Sequence, residues 1–342
     1  MKKTLALILA LVVAIGLMAG CGSSAPAAPA SSSSDSSAPA AASYDFKLNC
    51  PDSEGGLSYI IATEFANKVS ELTNGAVKVT VYGGSQLGTT TEALEGMSAG
   101  VADIQVESVG TLAPFTPLAN IDAMPYMYSG YDHFTKVWSS DLGKEILTKI
   151  GEDGGFKLMG SCYRGARVVT ATKEMKTIDD FKGFKLRAPG LDMYVKTWEW
   201  IGASPTPLPI TDVYTAIQQK TVEGQENSII DSMNYSFDEL CKYFILTNHV
   251  YSSNTVIMDL NKFNSLPADI QTAIEEAAVY ACNVGSQHVL DNEAAAKDKL
   301  VEKGNVIVEV DNSAFVKAFD GFAESAFPDL AEWSNAIRAM DT

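Results

Sequence analysis

The residues of this 342-residue chain best suited to chemistry are arginines. The run Tyr163-Arg164-Gly165-Ala166-Arg167 precedes a tract from Met175 to Pro189, in which Arg187 ends a predicted strand, Phe184 to Arg187, beside a Pro-Gly turn. An α/β lobe presents side chains to its cleft at that place. A guanidinium there offers a carboxylate two parallel donors, a geometry lysine cannot copy. A surface ion pair is the competing reading for any single arginine. Catalytic chemistry has little support. The three histidines, His133, His249 and His288, form no HExxH pattern, and no GxSxG elbow or GxxxxGK[ST] loop occurs. Cys50, Cys162, Cys241 and Cys282 have neither CxxC nor Cys/His metal-ligand spacing, and their disulfide state stays open. Gly83-Gly84 reads as a turn. The expectation is therefore a ligand-binding protein and not an enzyme, with no catalytic residue, no metal and no cofactor.

Elements that would position Arg187 follow from the periodicity. Tyr44 to Asn49 alternates as a strand, Ser58 to Leu72 is amphipathic, and Asn74-Gly75 stops that helix. Val77 to Tyr82 is a second strand, Thr90 to Ser98 a helix, and Val101 to Val106 a third strand. This βαβα order predicts parallel strands in an open α/β sheet whose cleft lies at their carboxyl ends. A second unit starts near Arg164, with strands at Arg167 to Thr172 and Phe184 to Arg187 and helices at Leu191 to Ile201 and Thr211 to Gln219. Val250 to Leu260 reads as a strand returning to the first lobe. Ala268 to Glu302, free of proline, predicts one very long helix, with at most a kink at Gly285. Asn305 to Val310 and Ala314 to Phe327 read as one strand and one more helix.

The chain opens with Lys2, Lys3 and an apolar run from Leu5 to Ala19, a secretory signal by length and flanks. The run ends in Leu17-Met18-Ala19-Gly20-Cys21, which looks like the lipobox at which bacterial lipoproteins are cleaved and acylated, although Met18 stands where leucine is usual. Gly22 to Ser43 is almost entirely Ser, Ala and Pro, a composition that predicts a flexible tether. A formal net charge of −17 opposes binding to nucleic acid or an anionic membrane surface, but not to a small anion in a local basic pocket.

The tract DDFKGFKLRAP, then Gly202-Ala203-Ser204-Pro205-Thr206-Pro207, Asp212-Val213-Tyr214-Thr215-Ala216-Ile217-Gln218 and Val222-Glu223-Gly224-Gln225-Glu226-Asn227, resembles the solute-binding proteins of TRAP (tripartite ATP-independent periplasmic) transporters. Ser85-Gln86-Leu87-Gly88, Leu118 to Tyr126 and Thr247-Asn248-His249 extend the likeness over Tyr44 to about Trp333. It implies a two-lobed α/β Venus-flytrap (periplasmic-binding-protein) fold with crossover segments and a long bracing helix. Residues 1–20 would be signal and 21–43 a lipid-anchored linker. One lobe would be 44–164 plus about 251–285, and the other 165–250 plus about 286–335. The implied function is capture of a small organic carboxylate outside the cytoplasm, in the periplasm if the cell is Gram-negative. Its implied partners are that ligand, the transporter's small and large membrane subunits, and the membrane through Cys21. A sensory or adhesive lipoprotein on the same fold is the alternative.

By the same resemblance Arg187 binds the carboxylate, Arg167 is the second cation, and Asn227 donates an amide to the same group. Glu226 and His249 would orient Arg187 without touching ligand. Arg164 has no family counterpart and would be peripheral. The first lobe would supply discriminating contacts from the loop Pro51 to Ser58, from Thr89 and Thr90, and from Glu107, an acceptor for hydroxyl or amine groups or else a partner for a nearby arginine. Sialic-acid-binding relatives tend to carry an acid at the place of Thr89 and an aromatic at that of Ile210, which argues against sialic acid. Ser228 and Glu223 depart conservatively from the family's motif.

Overall fold

The computed structural model describes residues 43–341. The expected signal, Cys21 and all but the end of the linker lie outside the described residues. The amino-terminal half begins with β1 (Tyr44–Asn49), α1 (Leu57–Leu72), β2 (Val77–Tyr82), α2 (Thr90–Glu95) and β3 (Ile104–Ser108). In α1 the residues Leu57, Ile61, Phe65 and Val69 recur at helical spacing and are buried against the sheet. Asn74 and Gly75, at φ 49° and 78°, end it, because few residues other than Gly and Asn enter the left-handed region cheaply. As the βαβα pattern predicts, β1 pairs in parallel with β2 and β3.

Helices α3 (Tyr131–Trp138) and α4 (Asp141–Gly154) lead into β4 (Phe156–Ala171). The second α/β unit follows as β5 (Lys185–Ala188), α5 (Asp192–Trp200), β6 (Ser204–Pro207), α6 (Ile210–Gln218) and β7 (Gly224–Ser228). After α7 (Ile229–Asn234) and α8 (Phe237–Leu240), β8 (Tyr243–Asp259) returns the chain. Then come α9 (Leu260–Asn264), α10 (Ala268–Glu302), β9 (Val306–Val308), α11 (Asn312–Ala318), α12 (Phe322–Ala326) and α13 (Ala331–Arg338).

The nine strands form one sheet in the order β2-β1-β3-β8-β4-β7-β5-β6, with β9 beside β8. It is mixed where parallel strands alone were expected: β4 runs antiparallel to β7 and β8, and β3 antiparallel to β8. The cause is the length of β4 and β8, 16 and 17 residues. Each runs through both halves of the sheet, so the predicted breaks near Arg164 and Val250 fall inside continuous strands. The carboxyl-terminal part of β8 pairs with β3 and its amino-terminal part with β9.

Helix α10 spans all 35 residues from Ala268 to Glu302 as one element, without the allowed break at Gly285. Gly285 is there for close approach: a Cβ would stand 2.8 Å from both Cys162 Sγ and Ile61 Cγ1. The predicted last helix is divided, since Gly321 at φ 76° separates α11 from α12. Cys50, Cys162, Cys241 and Cys282 are buried free thiols.

Gly285→Leu should destabilise the protein by about 3 kcal/mol, because overpacking at a backbone-close contact outweighs the gain in helix propensity. A urea titration of the unliganded protein measures it, and an unchanged midpoint would show that α10 does not pack this tightly.

Candidate functional site

A cleft of about 270 Å³ opens at the carboxyl ends of the parallel strands. Pro51 and Asp52 after β1, the start of α2, and Glu107 and Ser108 at the end of β3 line one wall. Arg187 of β5, the Pro207 to Thr211 segment after β6, Asn227 of β7 and Tyr235 line the other, with Arg164 and Arg167 of β4 between.

Arg167 is 3% exposed, and its donors are nearly all engaged. Nε donates to Glu226 Oε2 at 2.5 Å, Nη2 to Glu226 Oε1 at 2.7 Å and to the Glu226 carbonyl at 2.8 Å, and Nη1 to Asn227 Oδ1 at 3.0 Å. Its guanidinium carbon also lies 5.0 Å from the centre of the Tyr194 ring. His249 Nε2 is 3.0 Å from Glu226 Oε2, and Thr247 Oγ1 is 2.8 Å from His249 Nδ1. An ionised carboxylate only accepts, so the proton belongs on Nε2 and the threonine hydroxyl donates to Nδ1. Burial alone would raise the Glu226 carboxyl, but Arg167 and His249 outweigh it and hold it at about 2. Burial lowers His249, with Glu226 pulling the other way.

Glu226 and His249 therefore orient Arg167 and not, as expected, Arg187. Strand pairing explains the difference: β4 lies beside β7 with Val169 opposite Glu226 and Arg167 opposite Ser228, whereas β5 meets β7 only at Leu186 and Arg187, opposite Gly224 and Gln225.

Arg187, 4% exposed, donates from Nε and Nη2 to the Leu208 carbonyl at 2.9 and 2.6 Å. Pro207 and Pro209 fix the extended backbone that aims this carbonyl. No acid among the described residues lies within ion-pair distance of Arg187. Burial lowers it to about 10, with Glu226 opposing that shift. Nη1 and one Nη2 hydrogen remain for a ligand. Asn227 Oδ1 accepts from Arg167 and from the Ser228 amide at 2.9 Å, which leaves its NH₂ group as a donor.

Arg164, expected to be peripheral, also lines the cleft. Residues three apart on a regular strand face opposite ways, yet Arg164 and Arg167 share this site. The strand register slips between Tyr163 and Ala166, where Gly165 sits at φ 89°. That bulge re-aims the side chains, and a glycine inside a strand pattern was the available sequence signal. Arg164 donates from Nη1 to Glu107 Oε1 at 3.3 Å and from Nη2 to Asp231 Oδ2 at 2.9 Å. Burial would lower Arg164, but Asp231 and Glu107 push it well above its ordinary value.

Of the other expected contacts, Glu107 pairs with Arg164 and also accepts from Thr90 Oγ1 at 3.3 Å. Thr89 lines the cleft, but its side chain caps α2: Oγ1 accepts from the Glu92 amide and donates to Glu92 Oε2. Ile210, opening α6, supplies apolar lining. Asp52 accepts from Tyr235 Oη at 2.8 Å and from Ser58 N and Oγ at 2.8 and 2.7 Å. Burial, reinforced by the charge on Asp231, pushes Asp52 to about 6. Asp231 and Tyr235 had no motif to mark them. Of the remaining histidines, buried His133 meets the Ile337 carbonyl at 2.9 Å, and His288 sits beside Asn292 on α10. Among the described residues no cluster of three or more His, Cys, Asp or Glu could hold a metal, and no helix is long and apolar enough to cross a membrane.

Comparison with known proteins places this geometry in context. The profile of bacterial extracellular solute-binding protein, family 7, matches residues 52–327. A solute-binding protein of Roseobacter denitrificans is 30% identical over 278 residues, covering 81% of this chain and 85% of its own. The 2,3-diketo-L-gulonate-binding periplasmic protein of Escherichia coli is 27% identical over 303 residues, covering 88% and 92%. A crystal structure of a TRAP periplasmic solute binding protein from Roseobacter denitrificans, with bound L-galactonate, superposes with a TM-score of 0.82 at 28% identity, covering 86% of this chain and 99% of that one.

The buried acids give stability a definite pH dependence. Burial raises Asp52 and Asp122 from 3.8 to about 6, so the folded state holds their protons more tightly than the unfolded state does. Their contribution is greatest at low pH and declines as pH rises through about 6, whereas that of Glu226 is complete above 4.5 and lost only as pH falls toward about 2. Each raised acid by itself should make the unliganded protein more stable at pH 5 than at pH 7 by roughly 1 kcal/mol, while His249, lowered by burial, works the other way and favours the higher pH. Urea unfolding at the two pH values checks this, and Asp52→Asn should remove its share.

Proposed function

The chain belongs to bacterial extracellular solute-binding protein family 7, and from that membership we propose that it takes a small organic carboxylate into this cleft and delivers it to the membrane subunits of a TRAP transporter. The observation that carries the reading is Arg187, a buried guanidinium without a neighbouring acid, beside an amide donor on Asn227. An uncompensated buried cation is unfavourable, and an incoming carboxylate supplies the missing charge and a bidentate acceptor. Arg167, fixed by Glu226, His249 and Tyr194, holds Asn227 in place and keeps a remaining Nη1 hydrogen for the same group. The relatives named for 2,3-diketo-L-gulonate and solved with L-galactonate support a carboxylate as ligand.

The two lobes, 44–164 with about 251–285 and 165–250 with about 286–335, close on the ligand by bending where β4 and β8 lose their regular register, between Met159 and Val169. Ligand contacts from both walls exist together only in the closed form, so binding shifts the population toward it. The closed form then docks on the small and large membrane subunits. Cys21 anchors the protein by lipid outside the cytoplasm, and the chain catalyses no reaction. Family membership favours transport over a sensory or adhesive role.

Arg187→Ala should abolish the thermal stabilisation given by an organic-acid ligand while leaving the unliganded melting temperature nearly unchanged, and Arg187→Lys should restore only part of the ligand effect. Undiminished ligand stabilisation in the alanine variant would remove Arg187 from the site.

Arg167→Ala should instead lower the stability of the unliganded protein by about 3–5 kcal/mol, because it leaves Glu226 buried without its partner. Denaturant unfolding without ligand separates the two arginines. Recovery of the ligand chemically unchanged after incubation checks the absence of catalysis.

A further inference from the structure

The cleft is electrically two-ended. At one end Arg187 and Arg167 face a single acid, Glu226, which leaves a surplus of positive charge. At the other end Arg164 is held between two acids, Glu107 and Asp231, which leaves a surplus of negative charge. Asp52 lies on the same side of the cleft, and its carboxylate accepts from Tyr235 and Ser58. Arg164 is thus a guanidinium in the cleft whose charge is already outweighed by two carboxylates, although Nε and one hydrogen on each of Nη1 and Nη2 have no partner among the described residues. A second ligand carboxylate at that end would have to displace one of these acids or approach them without a counter-charge, and like charges at such distances in a partly buried site repel strongly. Hydroxyl or ammonium hydrogens would instead find the Glu107 carboxylate, which lines the cleft, while buried Asp231, bonded to Arg164, adds its negative charge from behind. Burial is the larger cause of the raised Asp52 carboxyl, and the Asp231 charge adds to it.

We infer that the acid pair clamping Arg164 is the specificity determinant of the cleft: Glu107 and Asp231 exclude dicarboxylates and select a monocarboxylate whose far end carries hydrogen-bond donors, hydroxyl or ammonium. The inference rests on carboxylate capture at Arg187 and adds the chemistry required of the rest of the ligand.

Four kinds of six-carbon probe test it by calorimetry at pH 7.5: hexonates, 6-aminohexanoate, hexanoate and adipate. At least one hexonate, or 6-aminohexanoate, should bind 100-fold or more tightly than adipate; which of the two prevails separates hydroxyl from ammonium donors. In the double variant Glu107→Gln/Asp231→Asn, Arg164 becomes a free second cation, and the ratio of adipate affinity to the best donor-bearing probe should rise at least 100-fold. The ratio is measured on one sample, so it does not depend on the fraction of variant that folds. Each single variant should move it part of the way. Adipate binding as tightly as any donor-bearing probe in the wild type, with that binding lost in Arg187→Ala, would overturn the inference while leaving carboxylate capture intact. An unchanged ratio in the double variant would also overturn it. Binding of no probe at 10 mM would overturn carboxylate capture itself, and the inference with it.

Discussion

The buried pair of Arg167 and Glu226 is the interaction on which the site depends. It ties β4 to β7 through side chains as well as backbone, draws in His249 from β8, and fixes the amide of Asn227. A guanidinium with so little exposure is tolerable only when its donors are met, and here carboxylate, carbonyl, amide oxygen and an aromatic face meet them. The pair contributes modestly to net stability, since desolvation offsets most of its attraction. Its role is geometric: three strands converge on one point, and the cleft floor is fixed before any ligand arrives.

Against that floor Arg187 stands out by what it lacks. The Leu208 carbonyl, aimed by two flanking prolines, orients the guanidinium without neutralising it. The fold holds one arginine satisfied, one clamped between two acids, and one buried with no acid among the described residues within ion-pair distance. Three identical side chains have three roles, set by their neighbours.

The walls of the cleft are joined by elements that cross from one half of the sheet to the other. The long strands β4 and β8 do this, and their antiparallel pairing runs almost the full length of both, with register shifts at three places between Met159 and Val169. Gly160 and Gly165, at φ 72° and 89°, make those irregularities possible. Helix α10 lies along β4, close enough at Gly285 to exclude a side chain, and braces the strand on either side of its bulges.

The α/β class, β1, α1 and β2, the long helix and the strand that ends near Arg187 were legible in the sequence, whereas β6 and β7, the parallel partners of that strand, were not. These features follow from local periodicity, from turn residues and from motif order, each of which acts over a few neighbouring positions. Partnerships between distant residues were not legible. That Glu226 serves Arg167 was decided by the antiparallel register of β4 against β7, and pattern alone does not specify such a register. The entry of Arg164 into the cleft was decided by a bulge whose only local mark is a glycine, and the mixed sheet by two strands that continue past the point where each half could have ended. Sequence by itself determined the elements with clear local periodicity, β1, α1, β2 and α10, and the turn residues that end α1. Tertiary structure decided which charges meet, because pairing across strands depends on register and on burial, and both arise only when the whole sheet assembles.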